Sequence, residues 1–133
     1  MTFVSQGVSA YQREAVQAAH YASPHQLVSM LMDGALERIV QARAAMERQL
    51  TARKGERIGK AISIIDSLRA SLNQDRGGEV AANLAALYDY MVRRLLHANL
   101  NNDPDALDEV QRLLKEIKAG WDGIAEQTAR AAS

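Results

Sequence analysis

The spacing of apolar residues decides what this chain can become. From Pro24 onward, Val, Ile, Leu, Met and Ala recur at intervals of three and four, never two, so the sequence predicts helices and no strand. Only two prolines occur in 133 residues, and each stands directly behind a capping residue: Ser23-Pro24 and Asp103-Pro104. A Ser or Asp side chain accepts from N–H groups that a first helical turn leaves unpaired. A proline at the first position loses nothing, because its missing N–H is one of those orphans. Both dipeptides therefore mark helix starts.

Four helices follow from the pattern. The first is predicted from about Pro24 to Leu50, with Val28, Leu31, Ala35, Ile39, Ala42 and Met46 inward. TARKGE, residues 51–56, reads as a break of charge and glycine. The second runs from about Arg57 to Asn73, with Ile58, Ile62, Ile65, Leu68 and Leu72 inward. NQDRGG, residues 73–78, reads as a turn in which Gly77 and Gly78 can take left-handed conformations. The third runs from about Glu79 to Leu100, with Val80, Leu84, Leu87, Tyr88, Met91 and Leu95 inward; NNDP then turns the chain. The fourth reaches about Gln127 and carries the cleanest stripe: Leu107, Val110, Leu114, Ile117, Trp121 and Ile124. Upstream, VSAYQREAVQAAH is a weaker, more polar element ending near His20. Short loops force antiparallel neighbours. The expected fold is all-α: an antiparallel up-down four-helix bundle with a short N-terminal cap segment. A single domain spans 1–133, divided into a cap (1–22), a bundle (23–128) and a tail (129–133).

Composition narrows the function. There is no cysteine, which removes disulfides, thiolate metal sites and Cys nucleophiles and fits a reducing compartment. Sixteen basic side chains balance sixteen acidic ones, so the basic excess of a nucleic-acid binder is missing. The start, MTFVSQGVSAYQ, lacks the basic and apolar regions of a signal peptide, and no apolar run nears the roughly 18 residues a spanning helix needs. The expectation is a cytoplasmic protein with no nucleic acid, no membrane insertion and no cofactor.

The helices carry no catalytic constellation. No inward Glu-x-x-His pair and no H-E-x-x-H occurs, and His20, His25 and His97 stand at no metal-ligand spacing. His97 falls on a face with Arg93, Arg94 and Tyr90, where solvation is the plain reading. A histidine phosphotransfer bundle would also expose one helical histidine, but HANLNND offers no Lys-Gly pair behind it. Nothing in the sequence argues for an enzyme, and a metal site is not expected.

Apolar surface, in contrast, is in excess. In the third helix Val92, Leu96 and Leu100 lie to one side of the core line, so the apolar arc covers about half the circumference rather than the usual ~100° stripe. Leu27 and Met30 lie off the core line of the first helix, Ile64 off that of the second, and Tyr90 projects from the polar face of the third. These positions either widen the core and pack under the N-terminal segment, or form a groove for a partner helix. Met30, Met32, Met46 and Met91 suit an adaptable surface or a core equally well. Self-association into a weak homodimer is a further way to cover such a surface.

Four segments occur in an order that resembles a known family: AYQ at 10–12, ASPHQLVSMLMDGAL at 22–36, NLAALYDYMVRRLLHAN at 83–99 and KEIKAGWDGI at 115–124. The chain resembles the flagellar secretion chaperone family, FliS, over nearly its whole length. Met32 departs from the family pattern, which usually has an aromatic residue there. The resemblance implies a cytoplasmic export chaperone without enzymatic activity. Its partners would be the C-terminal segment of flagellin and the flagellar export apparatus, and its resting state a monomer or weak homodimer. The partner-binding residues expected on this reading are Tyr11, Gln12, Leu27, Met30, Leu31, Ile64, Tyr90, Val92 and Leu96. Tyr11 and Gln12 match the family motif. With Phe3, Val4, Val8 and Val16, Tyr11 gives residues 1–19 an apolar edge, which suggests a displaceable cap over part of the client surface.

Overall fold

The structure, a computed structural model, describes residues 23–72 and 74–132, with side chains described except at 74–76 and 125–132. The N-terminal element expected to end near His20 lies outside the described residues. Four helices are present among the described residues: α1 (Pro24–Glu47), α2 (Thr51–Ala70), α3 (Gln74–Asn101) and α4 (Pro104–Ala132). α1 packs on α2 and α4, and α3 packs on the same two, so the up-down bundle closes into a ring. No strand occurs among the described residues.

The Ser23-Pro24 start forms a full capping box. The Ser23 hydroxyl accepts from the Gln26 N–H at 3.1 Å, and the Gln26 side chain accepts from the Ser23 N–H at 2.8 Å. At the second proline, the Asp103 carboxylate accepts from the Asp105 N–H at 3.0 Å.

The first break differs from expectation. α1 stops at Glu47 and α2 starts at Thr51, so TARKGE is helical and not a break. The chain turns at Gln49, with φ 59°; the Gln49 N–H bonds the Met46 carbonyl at 3.2 Å and the Leu50 N–H bonds that of Ala45 at 2.9 Å. This pair of backward bonds caps the last carbonyls without glycine. Gly55 lies within α2, where a Cβ would stand 3.8 Å from the Asn99 side chain of α3, at ordinary contact distance. At the second turn, Gly78 alone takes positive φ (54°, with ψ −129°), and one helical turn precedes it within α3. α4 runs to Ala132, past Gln127.

The core follows a heptad on each helix. Its layers are Val28, Met32, Ala35, Ile39, Ala42 and Met46 on α1; Lys54, Ile58, Ala61, Ile65 and Leu68 on α2, with Leu72 just past its end; Ala81, Leu84, Tyr88, Met91, Leu95 and Ala98 on α3; and Leu107, Val110, Leu114, Ile117 and Trp121 on α4. Spacings of three and four keep one seam of each helix facing its neighbours. On α1 the buried residue is Met32, at 1% exposure, and not Leu31, which is half-buried. Three residues expected inside are outside: Val80 is 69% exposed, Leu87 36% and Ile124 56%. Val80 and Leu87 each precede a heptad position, Ala81 and Tyr88, and so sit about 100° off the seam. Ile124 falls one step beyond Trp121, the last core layer.

Candidate partner-binding surface

Ion pairs and close contacts identify which flank of each helix meets which neighbour. Ile64 of α2 lies against α1, with its Cδ1 3.6 Å from where a Cβ on Gly34 would stand. Leu27, Met30 and Leu31 share the Gly34 face of α1 at helical spacing. The four residues therefore line the α1/α2 seam, with Met30 37% exposed and the others half-buried.

Val92 and Leu96 belong to a second strip. They follow Asp89 by three and seven residues and precede Asn99, and both of those reach α2. Arg69 pairs with Asp89 at 2.6 Å, and the Lys54 ammonium donates to the Asn99 carbonyl at 2.9 Å. Leu96 is 48% exposed and Leu100, one turn on, 82%. Gly55 and Gly59 keep the facing flank of α2 low, and a Cβ on Gly59 would meet nothing within 4 Å. The expected positions thus form not one groove but two strips that flank α2.

Tyr90 joins neither strip. Its hydroxyl donates to Glu109 of α4 at 2.7 Å, and Arg94 donates to the other oxygen of that carboxylate at 2.7 Å. The Tyr90 hydroxyl bond, then the Arg94 hydrogen bond, hold the Glu109 carboxyl below the usual carboxylate range, while the Tyr90 bond raises the phenol. Tyr90 is a seam residue of α3/α4. Tyr11 and Gln12 lie outside the described residues.

His97 binds its own helix end. Its Nε2 lies 3.1 Å from Asp103 and its Nδ1 3.1 Å from the Asn101 amide, so both ring nitrogens that a phosphotransfer reaction would need are engaged. Among the described residues, no three His, Asp or Glu side chains gather where they could hold a metal ion, and no helix is long and apolar enough to cross a membrane. The sequence reading missed the outward placement of Val80 and Leu87. The only signal for it was their position one residue before the heptad line.

The model of the family described as flagellar protein FliS matches residues 7–128 of this chain. The chain belongs to the FliS family. It is 50% identical over 124 residues to flagellar secretion chaperone FliSB of Pseudomonas aeruginosa, which covers 92% of this chain and 98% of that one. It is 47% identical over 129 residues to flagellar secretion chaperone FliS of Salmonella typhimurium, covering 96% of each chain. The FliS of Bacillus subtilis is 39% identical over 113 residues, covering 85% of this chain and 81% of the other. These FliS relatives bear the name of a chaperone, which is not an enzyme. The capping box, the apolar strips and the Tyr90 seam all fall inside the stretch that the FliS family shares.

Proposed function

We propose that the protein is a flagellar export chaperone that holds the C-terminal segment of flagellin, delays its polymerisation and presents it to the export apparatus from the cytoplasm. The names of the relatives support the class of function. The observation that carries the client surface is the pair of apolar strips beside α2, Leu27–Met30–Leu31–Ile64 and Val92–Leu96–Leu100. A disordered segment loses chain entropy when it orders, so its binder must offer a large preformed apolar area. Two strips separated by one helix offer that area without a deep pocket. Contacts spread over both allow release in steps.

The test uses Met30→Glu and Leu96→Glu. Both side chains are exposed enough to accept charge without disturbing the core. Each variant should bind a flagellin C-terminal peptide about tenfold more weakly or worse, with its melting temperature nearly intact. Wild-type binding by both would place the client elsewhere. Unfolding of both would return these residues to the core.

A further inference from the structure

Polar atoms without partners cluster at one place in this bundle. Among the described residues, four buried side-chain polar atoms lack a hydrogen bond, and three of them, Arg38 Nε, Gln41 Oε1 and Arg57 Nε, belong to the α1/α2 seam. The two helices turn about Gln49, and Gly34 and Ile64, which meet, each stand 15 residues from it. The same count sets Gln41 level with Arg57, eight residues from the turn on either side, and Arg38 level with Lys60. Arg38 is one turn from Gln41 on the same face.

The arginines are held in an unusual way for this molecule. Their side chains are only 20% and 21% exposed, yet among the described residues each reaches no carboxylate but the glutamate beside it in sequence, Glu37 at 3.6 Å and Glu56 at 3.9 Å. Every other seam has a cation answered across it: Arg43 by Asp108, Lys118 by Asp33, Arg69 by Asp89 and Arg94 by Glu109. Across α1/α2 no such pair occurs among the described residues. A covered guanidinium with unused donors is costly, and a carboxylate received in its fork removes that cost.

We infer that Arg38 and Arg57 form a carboxylate-binding subsite that sets the register of a helical client on the α1/α2 seam, while the Gln41 oxygen beside them, an acceptor, is open to a donor of the same client. The inference rests on the client reading above. The apolar part of the seam, at Gly34 and Ile64, lies seven residues from the Gln41–Arg57 level, roughly 10 Å along the helices. The fitting occupant is therefore an amphipathic client helix that bears Asp or Glu two turns from a large apolar anchor. The anchor seats on Leu27, Met30, Leu31 and Ile64, and the carboxylate between the arginines. Apolar contact alone slides easily by one turn. A buried fork fixes the position.

The experiment is a double-mutant cycle. Arg38→Gln, Arg57→Gln and Arg57→Lys are titrated with a flagellin C-terminal peptide and with a series of that peptide in which each Asp or Glu is replaced singly by its amide. Each glutamine variant should lose about tenfold in affinity, with Arg57→Lys in between, and all should melt close to wild type. One peptide replacement should cost wild type about tenfold and cost Arg57→Gln little. If wild type does not bind the peptide, the client reading fails and the subsite has no occupant to receive. If wild type binds but no arginine variant and no peptide amide changes the affinity, the subsite is overturned. A gain in affinity on removing either arginine would assign the site to a carboxylate of this chain, such as Glu14 of the N-terminal segment, and also overturns it. Should the glutamine variants fail to fold, the peptide series against wild type decides alone.

Discussion

Lys54 is a charged residue in a core heptad position, 4% exposed. It survives there because its ammonium has acceptors: the Asn99 carbonyl at 2.9 Å and the Asn102 side chain. Both acceptors belong to the end of α3, where unpaired carbonyls carry partial negative charge and favour a cation. Asn102 holds φ 48°, and the next N–H, on Asp103, bonds back to Ala98 at 3.2 Å. Lys54 thereby ties α2 to the turn that aims α4. Lys54→Met keeps the volume but strips both acceptors, and should cost about 1–3 kcal/mol in urea denaturation. A more stable variant would mean that desolvation of the ammonium outweighs its bonds. Trp121 is the opposite kind of residue, a large apolar group that is only half-buried. Its indole stacks on His25 at 4.2 Å and 7°, and its N–H donates to the His25 carbonyl at 2.9 Å. These contacts set Trp121 against the start of α1. Trp121→Ala should cost about 2–3 kcal/mol, below the range for fully buried indoles, because part of the ring already meets water. A loss under about 1 kcal/mol would leave the stack with no structural weight.

At the scale of elements, the seams that α4 makes with α3 and with α1 are held by polar contacts that respond to acid. Glu109 has its carboxyl lowered by Tyr90 and Arg94, and Asp122 of α4 has its own lowered by Lys118 and Ser29. A carboxyl with a depressed folded value adds stability above its unfolded value, and that stability is lost as pH falls through the folded one. Both groups sit in exposed surroundings, so the effect is modest. Glu109→Gln should melt slightly below wild type near neutral pH, and the gap should close between about pH 5 and about pH 2. A gap that persists in acid would mean the Tyr90 bond stabilises through geometry and not charge. The element boundaries divide by physical cause. Ser23-Pro24 and Asp103-Pro104 were legible because proline and a capping side chain admit one local structure. The turn at Gln49 was not, since glutamine has no particular taste for positive φ; backward hydrogen bonds to Ala45 and Met46 hold it there. Val80 and Leu87 were misread because a helical wheel ranks apolarity but does not know how closely the next helix approaches. Ala81, Ala98 and Ala106, small and weakly apolar, are buried instead.

At the scale of the molecule, the excess apolar surface was legible on α1 and α3, but its division was not. Only the packing of α2 between them, with Ile64 against Gly34 and Arg69 against Asp89, separates the two strips. The remaining question is what covers those strips without client. Residues 1–22 precede Ser23 and carry Phe3, Val4, Val8, Tyr11 and Val16. As a tether, a segment with these apolar residues would be present at a high effective concentration over any surface it reaches. A client would then have to displace it. Deleting residues 1–19 should leave the bundle folded, raise its tendency to self-associate and speed association with a flagellin C-terminal peptide in stopped-flow mixing. If Tyr11 instead contacts the client directly, the deletion removes a contact and weakens binding. A slower or unchanged on-rate after deletion rules out the cap. A faster on-rate with stronger equilibrium binding requires it, because only relief of an internal competitor improves both.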